Sequence, residues 1–361
     1  MLEICLQNVR IIGMNLRQRK ILAFIQSRDG VGSGDVAAYL AGVGMSVSDM
    51  TIIRDLDSLA RGGYIIKTGK TKSARYQAAR ENRGLLAYPL DDYFAVPQDE
   101  RGGPRPFSFD VFALFADAFM ADELRALHAA TETYRTHMAA LEPIQIKKET
   151  ERLTIDLSWK SSRIEGNTYD LIETETLLKE HKEAQGRSKE EARMLLNHKA
   201  ALDYIFSRKD FKTLTRAKIE DLHRLLVEDL GVPLGLRRHA VRITGTNYHP
   251  LDNEHQIREA IEKAIDAINM QEEPIVKAFM TVLLVSYVQP FADGNKRTAR
   301  ILGDAILLSY DHCPLSYRSV DESAYKKAMI LFYEQQSFAA FKELFIEQYL
   351  FAARTYFVGG A

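Results

Sequence analysis

The residues best suited to chemistry in this chain lie together in SYVQPFADGNKRTAR, Ser286 to Arg300. An apolar run ends there, the chain turns through Asp-Gly-Asn, and a helical pattern restarts with Lys296, Arg297 and Arg300. Such a turn exposes the unpaired N–H groups of Gly294, Asn295 and Lys296, and the helix dipole adds to their pull on an anion. Arg297 and Arg300, three apart, face the same way and can fork onto phosphate oxygens. Asp293 stands at the mouth, and one carboxylate plus substrate phosphates is the usual way to hold Mg2+. Directly before the turn stands Gln289, whose amide can orient a hydroxyl but cannot accept its proton. Taken alone, Asp-Gly-Asn reads rather as an ordinary helix start with Asn295 as cap and surface arginines.

The elements that must position these groups are mostly helical. Residues 109–140, 147–164, 173–184, 189–207, 215–230, 255–270, 274–288, 295–310 and 322–353 carry apolar residues at i, i+3 and i+4, with Pro143 expected to stop the first. One stretch departs from that period. In RRHAVRITGTNYHP, Val241 and Ile243 alternate with Arg242 and Thr244 before Gly245, which predicts a short hairpin over 237–249.

QPFADGNKRTAR resembles the signature H-P-F-x-D/E-G-N-G/K-R-x-x-R of the Fic (Fido) family. It matches at Pro290, Phe291, Asp293, Gly294, Asn295, Arg297 and Arg300, and departs at Gln289, where the family has His. The 237–249 segment resembles that family's flap, which pairs with a target's backbone as an added strand. Upstream, SSRIEGN, on a helix over 147–167, resembles its inhibitory motif at Ser161, Glu165, Gly166 and the adjoining Asn167. The resemblance covers roughly 110–350. It implies ATP with its phosphates on Gly294, Asn295, Lys296, Arg297 and Arg300, Mg2+ on Asp293, and transfer of AMP to a Ser, Thr or Tyr hydroxyl of a target protein. It also implies that Glu165 pairs with Arg300 and holds the nucleotide in an unreactive pose, and that Phe291 anchors the loop. The family's His takes the hydroxyl proton, so with Gln289 the transferase chemistry is expected to be weak or absent. His249 and His255 read as surface residues. Tyr325 reads as core, with stacking on adenine as the alternative.

The N-terminal part has a different character. Residues 1–80 hold twelve Lys/Arg and six Asp/Glu, although the whole chain balances to −1. Three helical patterns begin at Leu16, Ser33 and Ser46 or Ser48, and YIIKTG and ARYQAA then read as a basic hairpin. That order is the one found in a winged helix-turn-helix, and MTIIRDLDSLARGGYI resembles the recognition helix of DeoR-type regulators. Ser48, Thr51 and Arg54 share a face suited to a DNA groove, and Lys70, Lys72 and Arg75 form a wing suited to phosphates. The alternative is a winged helix used only for protein contacts. Residues 81–108, with four Pro, are expected to be a linker.

At 361 residues the chain exceeds one ordinary core. The expected division is a winged helix over 1–80, the linker, and a helical Fic-type bundle with a short β-hairpin flap over 109–361. Cys5 and Cys313 do not make a disulfide framework, and no apolar run reaches the length of a membrane span. A cytosolic, bacterial protein is expected, with the first thirteen residues a loosely held extension. A rival reading makes it a transcription regulator whose Fic fold only senses nucleotide.

Overall fold

A computed structural model describes residues 15–26, 28, 30–61, 64–69, 73–78, 83–101 and 105–358. The chain divides into two compact units, residues 1–103 with 335–343, and residues 104–334 with 344–361. Cys5, Lys70, Lys72 and the N-terminal extension lie outside the described residues.

In the first unit three helices, α1 Leu16–Gln26, α2 Ser33–Gly42 and α3 Asp49–Arg61, precede strands β1 Ile65–Thr68 and β2 Arg75–Ala78, which pair antiparallel. Ile21, Leu22 and Ile25 of α1, Val36 and Leu40 of α2, and Ile52, Leu56 and Leu59 of α3 are buried. Helical spacing puts these apolar residues on one face of each helix, so the three stripes meet as a core. Asp55 is buried within it, where Arg17 and Gln18 satisfy its carboxylate. Residues 81–108, read from sequence as a linker, contain helix α4 Leu90–Ala95 and strand β3 Arg105–Pro106.

The second unit is helical: α5 Ala121–Ala140, α6 Pro143–Ile164, α7 Leu171–Glu180, α8 Lys189–Arg208, α9 Arg216–Val227, α10 Glu254–Met270, α11 Pro274–Val288, α12 Asn295–Ser309, α13 Glu322–Gln335 and α14 Ala339–Thr355. The last two helices contribute residues 335 and 339–343 to the first unit. Every residue of α11 from Ile275 to Val288 is buried, as suits a helix apolar on all sides, and its main packing partner is α12. The start signals are local. Ser188 and Glu191 form a capping box on α8, Asn253 caps α10, and Pro143 opens α6 at its first turn instead of ending its predecessor. The stretch expected as one helix over 109–140 is a 3-10 turn at Phe109–Ala113 followed by α5. The one expected over 322–353 breaks into α13 and α14, with Gln336 at positive φ.

Candidate nucleotide site

The α11–α12 turn forms the floor of the site, and two left-handed residues set its shape. Gln289 closes α11 at φ 51° and Gly294 opens α12 at φ 78°. Gly294 needs to be glycine on two counts, because a Cβ there would also stand 3.0 Å from Val227. Asn295 ties the turn across itself. Its Oδ1 accepts from Phe291 N at 2.8 Å, and its Nδ2 donates to Phe291 O at 2.8 Å and to Gln289 Oε1 at 3.1 Å. Phe291 is buried, as expected from sequence, and stacks at 3.7 Å on His223, whose Nε2 lies 3.0 Å from Asp293 O. Burial pushes His223 down to about 4, so the ring is neutral at pH 7 and its Nε2–H donates to that carbonyl.

A cavity of about 450 Å3 opens over this N-terminus, a size suited to a nucleotide. Gly294, Asn295, Lys296, Arg297, Asp293 and Gln289 line one side, and Ile164, Met194, Tyr325, Met329 and Tyr333 line another. Arg297 is buried, donating to Leu226 O at 3.3 Å and to Asp293 Oδ2 at 3.4 Å. The Asp293 carboxylate is 71% exposed.

Glu165, at the C-terminal end of α6, reaches into this floor. Its Oε2 lies 2.8 Å from Lys296 Nζ and its Oε1 lies 2.9 Å from Arg300 Nη1. Burial alone would raise the Glu165 carboxyl, but Arg300 and Lys296 overcome that and hold it down at about 2. Arg300 is fully buried beneath it and does not line the cavity. Arg300 also donates from Nε to Ser161 Oγ and from Nη2 to Ser161 O, both at 2.9 Å, and lies 3.4 Å from Tyr325 Oη. Tyr325 is therefore both buried and a wall residue. Gly166, at φ 102°, ends the helix, while Asn167 turns away, donating to Glu191 O at 2.9 Å.

The residue expected as a base position is built in as a brace. Gln289 is buried, donating from Nε2 to Ser286 O at 2.6 Å and accepting from Asn295. No histidine lines the cavity among the described residues.

The flap segment differs from its expected form. Val241, Arg242, Ile243 and Thr244 line the cavity and alternate half-buried with exposed, but 237–247 forms no strand ladder, and Gly245 turns at φ 82°. The reason lies in Arg237, whose backbone N–H donates to Pro290 O at 3.0 Å, its Nε to Gln289 O at 2.7 Å and its Nη1 to His239 O at 2.8 Å. These bonds tie the would-be first arm to the α11–α12 turn, and the second arm finds its partner elsewhere. The strand in this segment is β4, Tyr248–His249, which pairs parallel with β3. Sequence reasoning missed His223, Arg237 and the second cation on Glu165. Their positions are separated by long helices, and no local spacing announces them.

In the first unit, Ser48 Oγ and Thr51 Oγ1 lie 3.0 Å apart at the start of α3, where Ser48 also accepts from Thr51 N at 3.4 Å. Ser48 acts there as a helix cap. Arg54 is exposed, and Arg75 lies 3.3 Å from Asp35.

Residues 213–307 match the model of the Fic/DOC family. "Protein adenylyltransferase Fic" of Nematostella vectensis is 27% identical over 254 residues, which is 68% of this chain and 55% of that protein. "Protein adenylyltransferase fic-1" of Caenorhabditis elegans is 24% identical over 193 residues, 51% of this chain and 37% of that protein. The chain thus spans about half or less of the length of these relatives. Among solved structures, Fic-1 (aa134 - 508) from C. elegans superposes with a TM-score of 0.54 at 19% identity, covering 64% of this chain and 69% of that one. A Fic domain containing signaling protein from Bacteroides thetaiotaomicron gives the same TM-score and identity, over 64% and 94%. The helical unit therefore has a Fic-type fold, and among the described residues no helix is long and apolar enough to cross a membrane.

Proposed function

We propose that the helical unit binds ATP over Gly294–Arg297, is of the AMP-transferring lineage, and is held closed by Glu165. One observation carries this reading: the Glu165 carboxylate spans Lys296 and Arg300 at the floor of a nucleotide-sized cavity. An internal anion there occupies cations that nucleotide phosphates would otherwise engage. The N–H groups at the start of α12 and the Arg297 guanidinium remain for the phosphates. Asp293, an exposed carboxylate at the mouth, suits Mg2+ carried in with those phosphates, and the ion would neutralise their charge.

Transfer of AMP joins a hydroxyl oxygen of a target protein to the α-phosphorus, expels pyrophosphate and releases the hydroxyl proton. Val241 and Ile243, at the cavity edge, are the place for that target's backbone. The Gln289 amide has no basic site for the proton and is engaged by Ser286 O and Asn295. Loss of a general base costs on the order of 10²- to 10⁴-fold, so the chain is a poor transferase.

A second reading, a DNA-binding regulator with a nucleotide-sensing bundle, is favoured by that same locked amide. Binding without turnover is what a sensor requires, and the basic first 80 residues supply a module suited to duplex DNA. Calorimetric titration of ATP with Mg2+ into the chain and into Glu165→Gly tests the shared premise. Tighter binding by the variant supports it, and no heat from either protein refutes it.

A further inference from the structure

We propose that the flap segment is set in place through Asn247 by the two ends of the 104–334 stretch of the helical unit, with Glu334 as the positioning residue. This rests on the reading of 237–249 as the target-docking flap. The chain enters the helical unit at residue 104, leaves it after residue 334 and returns at residue 344. The first two of these passages are hydrogen-bonded to one flap residue. Arg105 N–H donates to Asn247 O at 2.8 Å, and Asn247 N–H donates to Glu334 Oε1 at 2.8 Å. Phe107 N–H adds a bond to His249 O at 3.1 Å. Glu334 is buried, so a carboxylate taken from water is engaged by a backbone N–H at the end of the flap.

Tyr248 carries the link inward. Its ring stacks on Tyr287 at 4.6 Å and on Tyr333, a cavity wall residue, at 5.5 Å. Its hydroxyl donates to Tyr287 O at 2.6 Å, two residues before Gln289. Ser108 N–H, just past the first passage, donates to Tyr287 Oη at 3.1 Å. A shift of either passage therefore moves flap and cavity wall together. By linkage, occupation of the cavity must act back on the passages to the same extent.

Hydrogen–deuterium exchange on the full chain tests this. Glu334→Ala removes a charged acceptor and should speed exchange across 240–249 about tenfold, with Asn295–Ser309 unchanged. Glu334→Gln keeps an acceptor and should restore most of the protection. Arg105→Pro removes the N–H at the other passage, together with the Arg side chain, and should speed the same segment relative to Arg105→Ala, so the test survives if the Glu334→Ala variant does not fold. An unchanged flap, or equal acceleration in Asn295–Ser309, overturns the proposal. In the second arm, ATP with Mg2+ should slow exchange at 105–107 in the unaltered chain and not in Glu334→Ala. Protection confined to the cavity overturns the proposal. No protection anywhere counts against ATP binding, and the nucleotide-free arm then decides the positioning role alone.

Discussion

Replacing Glu165 by Gln should make the helical unit less stable while making it a better nucleotide binder. The Glu165 carboxyl is held at about 2 against an ordinary 4.5, and each unit of pKa corresponds to about 1.4 kcal/mol. Its side chain is only 15% exposed, so solvent screens little of this, and the ionised carboxylate contributes roughly 3 kcal/mol. A similar figure follows from the other partner, because stranding a buried charge such as Arg300 typically costs about 3–5 kcal/mol. The folded carboxyl is the stronger acid, so this stability is fully present above an ordinary carboxylate's range and is lost as pH falls toward about 2. Urea unfolding followed by Trp159 reads the change. It is the only tryptophan, it lies on the same helix as Ser161, and its indole N–H donates to Tyr169 O at 3.2 Å. At pH 7 the Gln variant should lose roughly 3 kcal/mol, a midpoint shift on the order of 1 M urea. The gap should fall to less than half by pH 3 and nearly vanish at pH 2. Coincident unfolding curves at pH 7, or a gap that persists unchanged in acid, would refute the reasoning.

Other outcomes follow from the same geometry. Arg297→Ala should weaken ATP binding by roughly 1.5–3 kcal/mol in calorimetry, the cost of a lost charged donor. Gly294→Ala, which combines positive φ with a 3.0 Å approach to Val227, should cost roughly 1–3 kcal/mol and lower the melting temperature. Duplex DNA should be retarded by the chain at low salt and released steeply as salt rises, with Arg54→Ala blunting any site preference. No retardation of any duplex at low salt would leave the first unit as a protein-contact module.

Much of the architecture was legible because it is local. Apolar spacing located α11 and α12 to within a residue, and the Asp-Gly-Asn turn marked the helix start that floors the cavity. Glu165 was readable only through a motif, since α6 and α12 meet across more than a hundred residues of chain. The hairpin expectation failed for a related reason. Alternation says which side chains face inward, not whether a partner strand exists, and Arg237 ties that arm to Gln289 and Pro290 instead. The long helical patterns over 109–140 and 322–353 hid breaks because the apolar residues run on through the turns at 114–120 and 336–338. Lys296 was expected among the phosphate-binding residues. Only the fold places it against Glu165.

The most direct test of the central claim is a transfer assay with labelled ATP on four proteins: the chain as it stands, Glu165→Gly, Gln289→His, and the double variant. If Glu165 closes the site and position 289 lacks a base, the chain and each single variant should label weakly or not at all. The double variant should label at least about a hundredfold faster, the lower bound for a restored general base. Labelling by the unaltered chain at the rate of the double variant would contradict both halves of the account.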